Sequence, residues 1–261
     1  MNRSSNGFVL TVYISIIFFI SSCESFYLPR VAPRDFQKGD LLPVKVTILS
    51  SPKTKLPYEY YFLNYCKPQQ IHDTSGYLWE VLLGEHIQNS VYMFRMREEQ
   101  LCKVGCRIKL DAESAQKFKE KIDDNYRVNM ILDNVPVAVF GQRRDGSTTY
   151  KHGFRVGFKG YYAGSKDAKY FINNHLSFRV MYQKDPQTDS ARIVGFEVTP
   201  TSIKHEYKGW GEMNRQLTMC NQNTEKIIQG NTKPQEVATG QEVMFTYDVT
   251  FKLEDDDGWA D

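Results

Sequence analysis

Val243-Met244-Phe245-Thr246-Tyr247-Asp248-Val249-Thr250-Phe251-Lys252-Leu253 is the stretch that decides the fold class. Val243, Phe245, Tyr247, Val249, Phe251 and Leu253 are apolar or aromatic, and Met244, Thr246, Asp248, Thr250 and Lys252 lie between them. A period of two sends successive side chains to opposite faces, so the pattern predicts a strand with one buried face. The same alternation recurs upstream in Val194, Phe196 and Val198, in Leu176, Phe178, Val180 and Tyr182, and in Phe154, Val156 and Phe158. Val44, Val46 and Ile48 open the domain the same way, with further strands predicted over Val91–Met96 and Val128–Leu132. Asp133-Asn134 is turn chemistry, so Met130–Leu132 and Val135–Phe140 are expected to form a hairpin. One segment has a different period. Ala115, Phe118 and Ile122 recur at three and four residues behind a capping Asp111, which predicts a helix ending near Asn125. Lys117, Lys119, Glu120 and Lys121 read as its solvated face. Asn223–Glu236, with Gly230 and Pro234, reads as an exposed loop. With 13% aromatic residues, the chain is expected to be mainly β. The predicted architecture is an antiparallel β-sandwich, single or as two packed sandwiches, with one or two short helices.

The N-terminus is built differently. Arg3 precedes an apolar run from Phe8 to Ile20, followed by small Ser21, Ser22, Cys23 and Ser25. This order predicts a signal peptide over 1–25, with cleavage after Ser25 or after Cys23. The apolar run is short of the roughly 20 residues that span a bilayer. Residues 26–261 are therefore expected to fold as one lumenal β-rich domain. The whole chain carries 33 basic and 31 acidic residues, net +2, which argues against a nucleic-acid partner. Five cysteines are present. Removal of Cys23 leaves Cys66, Cys102, Cys106 and Cys220, the expected members of two disulfides in an oxidising lumen. Three pairings are open, and a Cys102–Cys106 bridge would close a very short loop. The spacing of that pair also suits zinc, but no matching His or Cys pair accompanies it.

No motif announces catalysis. The sequence lacks a G-x-S-x-G elbow, a P-loop and an H-E-x-x-H pair. His72, His86, His152, His175 and His205 are widely spaced. His205-Glu206 reads as a solvated turn or strand edge, and His152 and His175 as strand-flanking residues. Nothing selects two carboxylates as an acid–base pair. No catalytic, cofactor or metal residue is expected. The one unusual segment is His152-Gly153-Phe154-Arg155-Val156-Gly157-Phe158-Lys159-Gly160. Glycines inside a strand mark a bend or a close backbone approach, so His152, Gly153, Phe154, Gly157 and Gly160 outline either a bent strand under a neighbour or a ligand groove. The sequon Asn2-Arg3-Ser4 falls in the signal peptide, leaving the mature surface bare for protein contacts.

Several of these segments resemble one family. Phe26-Tyr27-Leu28-Pro29, Val31-Ala32-Pro33, Gly39-Asp40, Leu56-Pro57-Tyr58 and Tyr65-Cys66 open the match. Met96-Arg97-Glu98, the Cys102/Cys106 pair, Phe118–Asp124 and Tyr126-Arg127-Val128-Asn129 continue it. His152–Gly160, Tyr170–His175, Gly195–Pro200 and Phe245–Val249 complete it. The chain resembles the N-terminal lumenal domain of the transmembrane 9 superfamily, the nonaspanins, from about Phe26 to Trp259. The resemblance implies a multi-pass protein of Golgi and endosomal membranes that helps localise other membrane proteins, with membrane-protein cargo as partner and no catalytic residues. It also implies nine membrane helices entered through a segment like Trp259-Ala260. The chain stops at Asp261, so those helices are expected to be missing through truncation, splicing or fragmentation. The alternative is a free lumenal or secreted β-sandwich that binds a ligand such as a glycan, with Trp79 and Trp210 as stacking platforms.

Overall fold

A computed structural model describes residues 34–74, 86–143, 145–161, 166–206 and 233–254. The signal segment 1–25, Cys220, Trp79, Trp210, Trp259 and most of the expected 223–236 loop lie outside these residues. Two sheets form the main body. In the first, β1 (Leu41–Ser50) is central, flanked by β4 (Ile87–Arg95) and β6 (Arg127–Leu132), both antiparallel to it. Short strands extend it: β2 (Tyr58–Glu59) on β1, β3 (Asp73–Thr74) on β4, and β7 (Val135–Pro136) and β10 (Phe154–Arg155) on β6. The second sheet runs β5 (Gln100–Lys109), β15 (Glu242–Leu253), β13 (His175–Lys184), β14 (Ala191–Thr201), β8 (Ala138–Gln142) and β9 (Thr148–His152) in spatial order. A two-stranded ribbon, β11 (Gly157–Gly160) with β12 (Lys169–Ile172), completes the set.

Aromatic rings join the two sheets. The Phe94 ring of β4 lies 5.2 Å from Phe178 of β13, and Tyr92 lies 5.2 Å from Tyr247 of β15. Phe94, Phe178, Val180, Val243 and Val249 are almost completely buried. The mainly β expectation holds, with one refinement: the second sheet is mixed. β13 is parallel to β15 over His175↔Thr246 through Tyr182↔Leu253, and β14 is parallel to β8 at Glu197↔Ala138. The reason lies in connectivity. Thr201 and Thr246 both stand opposite His175, so the chain leaves β14 and enters β15 at the same end of the sheet. β13 sits between those oppositely directed strands and must be parallel to one of them. Such a pair needs a long connection, which residues 202–241 supply.

The predicted turn and helix are both found. Asp133 and Asn134 adopt left-handed φ of 45° and 69° and close the β6–β7 hairpin, as the paired positive φ of a tight hairpin requires. After Val137 the chain crosses to the other sheet as β8. The helix α1 spans Ala112–Asp123, and the Asp111 Oδ1 accepts a 2.7 Å hydrogen bond from the Ser114 amide, the expected capping geometry. Its reading as a solvated lysine face needs correction. Lys121 is only 5% exposed, and its Nζ lies 3.5, 4.7 and 5.1 Å from the ring centroids of Tyr58, Tyr126 and Phe62. Three aromatic faces replace water around the ammonium by cation–π attraction. On the adjacent helix face Phe118 packs against Tyr65, which reaches Phe245.

Cys66 is bonded to Cys106 across 40 residues with Cα atoms 5.6 Å apart, tying the Tyr65 loop to β5. Closing a loop of that size stabilises the fold by roughly 4 kcal/mol in the chain-entropy view. The short Cys102–Cys106 bridge is thereby ruled out. Cys102 is also disulfide-bonded, and its partner lies outside the described residues.

Candidate functional site

Two polar constellations stand out, and both lie toward the end of the second sheet where His175 starts β13. The first is buried beneath β15. The sequence predicts one buried face for this strand, yet Met244 and Thr246 are as buried as Phe245 and Tyr247. Asn174 explains part of the cover: its Nδ2 donates to the Ile203 and Met244 carbonyls at 2.8 Å each. Beside it, Thr246 Oγ1 stands 2.8 Å from His175 Nδ1 and 2.9 Å from His205 Nε2. His175 Nε2 meets Asp248 Oδ2 at 3.1 Å and Ser177 Oγ at 3.2 Å, and Asp248 Oδ1 accepts from the Cys102 amide at 2.6 Å.

His205 is therefore not on a solvated turn. Burial, and then the neighbouring His175, push its pKa down to about 4 against an opposing pull from Asp248, so the ring is neutral. Burial alone would raise Asp248, but hydrogen bonds from His175 and the Cys102 amide hold it below the ordinary carboxylate value. The cluster contains serine, histidine and aspartate but not the arrangement of a hydrolytic triad. There the base holds the nucleophile on one ring nitrogen and the aspartate on the other. Here Ser177 and Asp248 share Nε2, and Nδ1 faces Thr246. The cluster cross-links β13, β15 and the segment after β14.

The second constellation is open. A groove of about 490 Å³ lies where β6, β8, β9, β10, β11 and the end of β14 converge. Val139, Phe158 and Pro200 supply apolar walls, Asn173, Thr201 and Ser202 supply polar ones, and Arg127, Lys151 and Arg155 supply charge. Among the described residues no Asp or Glu lines it. Arg127 and Arg155 are register partners on β6 and β10, so their side chains leave the sheet side by side. The Arg127 guanidinium is anchored by donating through Nε to the His152 carbonyl at 2.7 Å and through an Nη to the Gly153 carbonyl. Burial and the charge of Arg155 both lower its pKa, with no acidic group acting in the opposite direction.

The glycine-bearing segment builds one wall of this groove. Gly153 has φ +64°, and a Cβ there would stand 2.4 Å from Asn129 Oδ1 and 2.5 Å from the Val128 carbonyl. At Gly157 a Cβ would stand 2.1 Å from the Phe171 carbonyl and 2.8 Å from Ile122 of α1. Both positions require glycine for close approach. Gly160 has no such constraint, since its nearest neighbour is at 3.9 Å. Phe154 is core, and His152, exposed at the end of β9, contributes its carbonyl. Phe158 departs from the predicted alternation. The segment changes partner at Val156, from β6 to β12, and Phe158 ends up 41% exposed at the groove. The sequence reading identified the segment but missed Arg127, Lys151 and Arg155. They come from three strands, and only their convergence on one groove in the fold sets them apart. Among the described residues no His, Cys, Asp and Glu cluster is arranged to hold a metal ion, and no helix is long and apolar enough to cross a membrane.

Residues 57–261 match the family described as Endomembrane protein 70. The chain is 54% identical over 256 residues to Transmembrane 9 superfamily member 10 of Arabidopsis thaliana, covering 96% of this chain and 40% of that protein. It is 53% identical to member 8 of the same organism, covering 95% and 39%. It is 32% identical to Transmembrane 9 superfamily member 4 of Homo sapiens, covering 94% and 40%. The chain thus spans about two fifths of the length of these relatives.

Proposed function

Because the chain belongs to the Endomembrane protein 70, or transmembrane 9, family, we propose that it is the non-enzymatic lumenal head of a membrane protein that helps localise other membrane proteins in the Golgi–endosome system. The observation that carries this reading is the 54% identity across 96% of the chain, which extends over the sandwich and the segments lining the groove. A disulfide between Cys66 and Cys106 suits an oxidising lumen. The head acts by recognition: His175, His205 and Asp248 are engaged in holding strands together, and three basic side chains face an open groove. An epitope in the exposed Asp145–Gly146 turn of the full-length gene product, probed in sealed microsomes, tests the placement. Protection from protease until detergent is added is expected, and digestion in intact vesicles overturns the lumenal reading. For the role itself, loss of the gene should redistribute membrane proteins between Golgi, endosomes and cell surface. Re-expression of the full-length form should restore them, and an unchanged distribution overturns it.

A further inference from the structure

We propose that the groove beside β9 binds an acidic, extended segment of a partner protein. This deepens the reading of the chain as a lumenal head and rests on it for the orientation argument below.

Charge is the first ground. Some basic side chains on the surface have acidic partners, such as Lys53 with Asp124, Arg97 with Asp189, Lys159 with Asp123 and Arg192 with Asp35, and others, such as Lys103, stand singly without one among the described residues. Among the described residues Arg127, Lys151 and Arg155 make no ion pair, and they converge on one groove lined there by no acid. Burial and the neighbouring Arg155 both disfavour the charged form of Arg127, and an incoming carboxylate relieves this. Planar guanidinium forks are suited to that anion.

Shape is the second ground. At about 490 Å³ the groove exceeds what a lone oxyanion fills, and Val139, Phe158 and Pro200 offer apolar surface between the cations. Lys151 lies on β9, the last strand of its sheet among the described residues. An edge strand leaves alternate backbone N–H and C=O groups pointing outward, a template for an added strand. A peptide with acids at every second position would turn all its carboxylates to one face.

Orientation is the third ground and separates a peptide from a lipid headgroup. Thr201, which lines the groove, and Thr246 both stand opposite His175, whereas Leu253 stands opposite Tyr182. Seven steps along β15 at ~3.3 Å each place the groove end roughly 23 Å from the point where the strand finishes. In a head whose last strand leads toward the bilayer, the groove opens on the side away from it.

The test uses the secreted chain and a fluorescent Glu-Thr-Glu-Thr-Glu-Thr peptide, with Gln-Thr-Gln-Thr-Gln-Thr as its neutral match. The acidic peptide should bind at least tenfold tighter, and the preference should fall as salt rises from 50 to 500 mM. Arg155→Glu and Lys151→Glu, both exposed side chains, should each weaken binding tenfold or more, while Lys103→Glu on β5 should leave it within twofold. Equal loss in the Lys103→Glu variant would reduce the effect to net charge and overturn the site. Preferential binding to phosphatidylserine vesicles, or full displacement of the peptide by equimolar inorganic phosphate, overturns the peptide assignment. If Arg155→Glu in the full-length protein binds no peptide yet still restores membrane-protein distribution, the groove is overturned and the lumenal-head reading stands.

Discussion

Asp248 and Arg127 are both half-buried charges, and the contrast between their surroundings separates structure from recognition. Asp248 accepts from the His175 ring and the Cys102 amide, so its charge is answered within the fold and its pKa is lowered despite burial. Arg127 is held by two carbonyls, but the charge that acts on it is that of its register partner, another arginine, Arg155. A buried charge with every partner in place stiffens a scaffold. A cationic pair held beside an open groove without an anion keeps its binding capacity for something outside. The fold answers the charge in one region and leaves it unanswered in the other.

Removing the scaffold that both regions share has the largest expected effect. Phe245 is 2% exposed and contacts Tyr65, and truncating such a core ring costs about 3–5 kcal/mol. Against a total stability of ~5–15 kcal/mol, Phe245→Ala should abolish secretion or lower the melting temperature by roughly 10 °C. A variant as stable as the parent would show that β15 is not central.

Acidification should act on the histidine cluster and spare the groove. His205 stays neutral in the folded chain down to pH about 4, whereas in the unfolded chain it protonates below its ordinary 6.5. The unfolded chain therefore takes up a proton first, and stability should fall from pH 6.5 toward pH 4 and then level with respect to this group, by about 3 kcal/mol in all. Melting temperatures across that range should show the slope in the parent, and His205→Gln should flatten it. An identical slope in both proteins would assign the loss to other groups.

Thr246→Val tests whether the cluster is structural at a finer scale. The change leaves His175 Nδ1 and His205 Nε2 without their shared partner in a buried setting, at a cost of about 2 kcal/mol. Read from the alternation alone, Thr246 belongs to an outward face where substitution is mild; urea titration distinguishes the two expectations. The smallest effect on stability belongs to the groove. Arg155→Glu should change the unfolding free energy by no more than ~0.5 kcal/mol while weakening acidic-peptide binding tenfold or more. A large loss of stability would mean that Arg155 supports the fold.

How much of this was legible varies from element to element. The alternation in Val243–Leu253 located β15, and Asp111 with the three-and-four spacing of Ala115, Phe118 and Ile122 located α1 almost to the residue. Asp133-Asn134 located the tight turn. These are local properties: backbone preference, capping and side-chain period act over a few residues, so they can be read in order along the chain. Burial of polar residues was not legible. Lys121 alternates with other charges like any solvated lysine, and only the approach of Tyr58, Tyr126 and Phe62 from distant segments encloses it. His205 looked like part of a turn until Thr246 and His175 closed over it.

By itself the sequence determined that this protein is a β-rich, disulfide-bearing domain with one capped helix and a glycine-bent segment near residue 155, and it carried the resemblance that the family match supports. Tertiary structure alone decided that β13 runs parallel to β15, that Cys66 rather than Cys102 meets Cys106, and that Arg127, Lys151 and Arg155 share one groove. The physical reason is range. Strand and helix signals arise from interactions between near neighbours, whereas pairing direction, disulfide partner and electrostatic environment depend on which distant segments the burial of apolar surface brings together.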